Sequence, residues 1–256
     1  MLSTLIARNP KYGWIPDLPD ERDLAYSLLA PAIPAIPLSV DLRKGCTPVE
    51  NQGDLGSCTA CALVGNLEYI KYKKLSKVIN FSKLFLYYNE RVIRHTQNAD
   101  SGASIRDGIK TLVKIGDCLE SLWPYDIDKF AVKPPQKAYT EAKDMQIIRY
   151  YRLHTLDEMK HTISAGSPFV FGFAVYTCFE SRKIAATGIV PMPKKGERLV
   201  GGHAVMAVGY DDSRGYAVIR NSWGSSWGDK GYCYMPYGYL TNENLSSDFW
   251  TIRTME

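Results

Sequence analysis

Long apolar runs are missing from this sequence. No stretch approaches the ~20 residues of a membrane span, and residues 1–8 combine neither a basic leader nor an apolar core of signal-peptide length. No membrane partner is therefore expected, while the native compartment stays undetermined and secretion stays open. Charge of one sign is not concentrated either. The 31 Lys and Arg are interleaved with 27 Asp and Glu, giving a formal +4, so no nucleic-acid partner is expected. There is no internal repeat and no low-complexity tract. Histidine is scarce, at four residues, and the six cysteines have no zinc-type spacing beyond one CxxC, so neither metal nor cofactor is expected. What remains is ordinary globular composition, 45% hydrophobic and 23% charged, in a chain of 256 residues. That length holds one large core or two modest lobes.

Residues 51–62 stand out. Gly53, Asp54 and Gly56 form turns, Ser57 is a good N-cap, and Ala60, Leu63, Leu67 and Ile70 recur at the spacing of a helix with one buried stripe. Cys58 is thus expected in a first helical turn, where unpaired N–H groups and the helix dipole favour thiolate over thiol. A small buried hydrophobe is the competing reading of such a cysteine. Cys58-Thr59-Ala60-Cys61 taken alone also reads as a dithiol redox pair, but that chemistry needs a βαβ setting which the sequence does not offer.

Two further segments decide between these readings. Gly202 and His203 open an apolar run, and Asn221-Ser222-Trp223-Gly224 is followed by Trp227-Gly228 and Gly231-Tyr232. With Gln52 six residues before Cys58, these motifs resemble the papain family of cysteine peptidases, in the family's order. The resemblance implies an α+β, papain-like two-lobed fold, with a helical left lobe, a β-barrel-like right lobe and the active-site cleft between them. It implies a cysteine endopeptidase acting on peptide or protein substrates: Cys58 the nucleophile, His203 the acid and base, Asn221 orienting the histidine, and Gln52 in the oxyanion hole. The resting thiol and imidazole are expected as an ion pair. Trp223 is expected over the His–Asn contact. Gly102 and Ala103 fall where the family has paired glycines that bind the substrate backbone, and Gly202 and Trp223 complete the substrate-facing set. Leu55 stands where the family has a disulfide cysteine and Thr59 where it has a tryptophan, departures that suit bacterial-type members with a short pro-segment.

By the same resemblance, residues 1–36 are a propeptide-like segment and 37–256 the peptidase domain, with its helical lobe at about 46–145 and its β lobe at about 146–256 plus the 37–45 arm. The proline-broken segment 13–23 and the extended 31–37 linker look laid on a surface. The family's pro-segments run through the cleft against the direction of substrate, so Trp14, Ile15 and Leu18 are candidate cleft contacts. Phe81-Ser82 is expected to open a second helix and Ser104 to cap a third that Gly116 stops, with strands near 147–151, 169–175, 204–209, 216–220, 231–235 and 249–252. His95, His154 and His161 carry no partner motif. The same site could serve acyl transfer or isopeptide hydrolysis, or be a catalytically silent peptide-binding module holding its own pro-segment. The 175–200 loop gives no substrate specificity.

Overall fold

The computed structural model describes residues 11–29 and 35–255, so the leader reading of residues 1–8 and most of the 31–37 linker lie outside the described residues. Strand β1 (Ser39–Asp41) leads into α1 (Cys58–Leu75), α2 (Lys83–Ile93), α3 (Ile105–Lys114) and the short α4 (Gln136–Ala142). Then come β2 (Ile147–Arg152), α5 (Leu156–Ser164), β3 (Phe169–Tyr176), β4 (Leu199–Asp211), β5 (Tyr216–Arg220), β6 (Tyr232–Pro236) and β7 (Ser246–Met255). The strands form one antiparallel sheet in the order β2-β7-β3-β4-β5-β6, with β1 added to β4. The helical lobe and the sheet lobe are both as expected, although the sheet is open, with β2 and β6 as edges, rather than a closed barrel.

Serines 82 and 104 cap α2 and α3, accepting from the N–H of Phe85 at 3.1 Å and of Asp107 at 3.2 Å. Gly116, at φ +84°, follows the end of α3. Ser57 holds the N-cap position of α1 without capping it, because its hydroxyl is engaged by the Tyr125 hydroxyl at 2.5 Å. The single buried stripe expected on α1 is also wrong. Every residue from 58 to 69 is buried, since α2 and α3 pack on one side of the helix and β4 and β7 on the other. Two of its polar side chains bond inside the core: Asn66 donates to the Pro168 carbonyl at 3.2 Å, and Glu68 accepts from Thr47 at 2.5 Å. A helix enclosed this way holds its first residue rigidly at the lobe boundary.

On the sheet side, β3 reads Phe-Val-Phe-Gly-Phe-Ala-Val-Tyr and is buried on both faces up to its last residue. Its phenylalanines join Phe179 and Phe249 in the β-lobe core. Next to it, β4 pairs with β1, β3 and β5 and carries His203 opposite Phe173.

Candidate active site

Cys58 is the first residue of α1, fully buried, with the backbone N–H groups of Ala204, Gly13 and its neighbour Thr59 directed at the sulfur. Ala204 follows His203 on β4, so the helix start and the histidine meet across the lobe boundary. The His203 ring is boxed by Trp223, Phe173 and Tyr12 at centroid distances of 5.0, 5.7 and 6.1 Å. Its Nε2 lies 2.8 Å from Asn221 Oδ1, an oxygen that also accepts from the Ser222 N–H at 2.8 Å. An amide oxygen only accepts, so Nε2 carries the hydrogen. In the neutral ring Nδ1 then holds the lone pair, and it is buried with no hydrogen-bond partner among the described residues.

Gln52 reaches the same place through a seam between the lobes. Its N–H donates to the Ser222 carbonyl at 2.9 Å, Asn51 bridges Trp223, and the Gly224 N–H donates to the Glu50 carbonyl at 2.9 Å. The Ser222 hydroxyl donates to Gln52 Oε1 at 2.5 Å, which turns the amide NH₂ outward to the carbonyls of Leu55 at 2.9 Å and Lys11 at 3.1 Å. Residues 221–224 therefore hold both the histidine's partner and the glutamine.

That Lys11 carbonyl belongs to an arm of residues 11–29 running through the cleft. Ala103 donates to the Gly13 carbonyl at 2.9 Å and accepts from Ile15 N–H at 2.9 Å, while Trp14 N–H donates to the Gly202 carbonyl at 3.1 Å. The pairing with Ala103 is parallel. Gly13 passes so close to the helix start that a Cβ there would lie 1.8 Å from the Gly56 oxygen, and only glycine fits. Gly102, at φ +68°, faces it with equally little room. Trp14 lies in the cleft, Ile15 engages it through its backbone, and Leu18 does not engage it. With 78% of its surface exposed, Leu18 lies beyond the point where the arm leaves the cleft, and its carbonyl accepts from Arg106. Tyr12 was missed in the sequence, yet it packs on His203 and donates its hydroxyl to Glu180 at 2.8 Å. Lys11, over the Trp223 ring at 4.7 Å, was missed as well.

Beneath this arm the expected ion pair does not form. Burial pushes the Cys58 thiol up to about 11 and His203 down to about 4, the latter against the Asn221 bond that supports the charged ring. The closed site thus holds a neutral thiol and a neutral imidazole. Thr59 replaces the bulk of a tryptophan with a hydrogen bond, donating to buried Glu90 at 2.7 Å. All six cysteines are free, and Cys61 packs within α1, its sulfur 3.8 Å from the Ser57 hydroxyl. No cluster of metal-ligating side chains exists among the described residues. Away from the cleft, His161 is paired through Nδ1 with the Tyr26 hydroxyl at 2.8 Å.

The sequence matches the family model described as papain family cysteine protease over residues 36–249. It is 41% identical to a peptidase C1-like protein of Acanthamoeba polyphaga mimivirus over 99% of this chain and 89% of the relative. A cathepsin L-like proteinase of Fasciola hepatica is 29% identical over 84% of this chain and 67% of its own length. Among solved structures, xylellain, a cysteine protease from Xylella fastidiosa, superposes with a TM-score of 0.89 at 40% identity, covering all of both chains. A family match over residues 36–249, and a likeness that runs the whole length of a solved cysteine protease, make this chain a member of the papain family of cysteine proteases.

Proposed function

We propose that this chain is a cysteine endopeptidase kept latent by its own N-terminal arm, with residues 1–36 serving as the pro-segment of the 37–256 peptidase. The observation that carries the reading is the meeting, at one point of the cleft, of Cys58 on α1 with His203 on β4, its partner Asn221 just past the end of β5, and Gln52. With the arm displaced, the Cys58 sulfur attacks a peptide carbonyl while its proton passes to Nδ1 of His203. The carbonyl oxygen, now anionic, takes the place of the Lys11 carbonyl and accepts from Gln52 Nε2 and the Cys58 N–H. His203 returns the proton to the leaving amine as the C–N bond breaks, and a thioester remains. Water, deprotonated by the same imidazole, hydrolyses it. Asn221 keeps Nε2 protonated without adding a full negative charge, and Trp223 shields that bond from solvent.

The arm supports latency because it uses the contacts a substrate needs: both backbone groups of Ala103, the Gly202 carbonyl and the Gln52 amide. Treating the Gly13→Ala chain with a peptidyl epoxide and mapping the adduct by mass spectrometry tests the reading. Labelling of Cys58 alone among the six cysteines is expected. A folded, reduced protein left unlabelled at Cys58 would mark a binding module rather than an enzyme. In the same background Gln52→Ala is expected to lower kcat by about a hundredfold with KM little changed, since the amide serves the developing oxyanion.

A further inference from the structure

Trp14 occupies a slot that neither the catalytic chemistry nor arm latency explains. The indole lies against two glycines: a Cβ at Gly172 would fall 1.9 Å from one of its ring atoms, and one at Gly202 would fall 2.7 Å from another. Its Nε1–H donates to Asp248 Oδ2 at 3.1 Å. Asp248 is 2% exposed and is aimed there by an irregularity in the sheet. Between Val170↔Trp250 and Gly172↔Ser247 the ladder of β3 and β7 shifts register, and Asp248 takes φ +59°, a left-handed conformation that costs a non-glycine residue energy. The carboxylate's other oxygen is taken by Arg152 at 2.9 Å. Asp17 N–H, at 2.8 Å, is the second donor to Oδ2. Both donors to Oδ2 belong to the arm and leave with it, so Oδ2 is stripped of partners in the open protein.

We infer that this slot is a specificity pocket for tryptophan, with Asp248 as the residue that selects it. The inference rests on the peptidase reading above: a peptide strand that takes over the hydrogen bonds at Ala103 puts one side chain where Trp14 now lies. The glycine walls admit a flat, wide ring. The buried acceptor favours a ring with an N–H at its edge, since phenylalanine leaves Oδ2 without a partner. Cationic side chains gain little, because Arg152 already neutralises Asp248.

Matched peptides carrying Trp, Phe or Arg at that one position, cleaved by the full chain bearing Gly13→Ala, test the pocket. A kcat/KM at least tenfold higher for Trp than for Phe or Arg is expected. Adding Asp248→Asn should reduce the Trp-to-Phe ratio to about threefold or less, because an amide has one acceptor oxygen and Arg152 takes it. Equal rates for Trp and Phe, or for Trp and Arg, overturn the assignment while leaving the peptidase intact. Absence of any cleavage overturns the peptidase reading, and the pocket is then judged on the arm itself. In the native chain Trp14→Phe should lower hydrogen-exchange protection of the Ile15 amide about tenfold, whereas on top of Asp248→Asn it should change it by twofold at most. A tenfold loss in both backgrounds overturns the pocket without reference to catalysis.

Discussion

Cys58→Ala, placed in the Gly13→Ala chain so that the cleft is open, is expected to lower kcat/KM for peptide hydrolysis by on the order of 10⁵-fold, with the fold unchanged. The side chain is small and α1 is held on all sides by α2, α3, β4 and β7, so removing one sulfur leaves the scaffold in place. What is lost is the only atom that forms the thioester. His203→Ala should cost about as much, and the double variant should be no worse than either single one, because a nucleophile and the base that takes its proton act as a unit. Asn221→Ala should cost less, about ten- to a hundredfold. It removes the acceptor that fixes the hydrogen on Nε2, so part of the imidazole population presents N–H rather than a lone pair at Nδ1. Initial rates on a fluorogenic peptide check all four variants, and survival of full activity in Cys58→Ala would sink the thioester mechanism.

The proposed catalytic set is legible in the sequence because its chemistry depends on residue type. A cysteine at a turn-to-helix junction, a histidine opening a strand, and an asparagine in a glycine- and tryptophan-rich loop leave few other uses for that set. The strands were legible for a similar reason: β3 to β5 are buried along most of their length and read as short apolar runs. What could not be read depends on which face meets what. The repeat of Ala60, Leu63, Leu67 and Ile70 on α1 looked like one buried stripe, yet Ala62 and Gly65 are small enough to let the sheet approach the other side, where Gly65 faces Met206 and Arg220, and no periodicity reports that. Leu18 looked like an anchor by hydrophobicity alone, while Tyr12 and Gly13 do the anchoring through a ring set edge-on to His203 and a backbone without a Cβ. Asp248 was invisible because its direction comes from a register shift between β3 and β7. The charge state of the site was equally hidden, since the motif promises an ion pair and only the covering arm makes both partners neutral.

Gly13→Ala in the full chain is expected to raise the rate of Cys58 alkylation at pH 7 by at least a hundredfold. A methyl group there would sit 1.8 Å from the Gly56 oxygen, which is backbone at the rigid start of α1 and cannot yield, so the arm lifts. In the closed chain a thiol pushed up to about 11 is ionised to roughly one part in ten thousand at neutral pH. Opening returns water to the sulfur and leaves it beside a helix N-terminus and an imidazole that is no longer held down, which lowers its titration below the ordinary 8.5 or so. The sign of the pH dependence follows. The closed state holds the thiol proton more tightly than the open state, so closure is fully favoured below the open thiol's pKa and is lost as pH rises from there toward 11. On the acid side two shifts oppose each other. Burial lowers His203 to about 4, so protonating it below 6.5 disfavours closure; burial and the nearby Asp17 raise Asp248 to about 6, so protonating it favours closure. Native alkylation should therefore climb close to tenfold per unit from about pH 4 upward, because the thiolate share of the open state rises below the open thiol's pKa and the open share itself rises above it, while the Gly13→Ala rate levels off by about pH 8. Iodoacetamide labelling followed by intact mass across that range measures both profiles. Coincident curves for the two proteins would mean that the arm does not control the thiol.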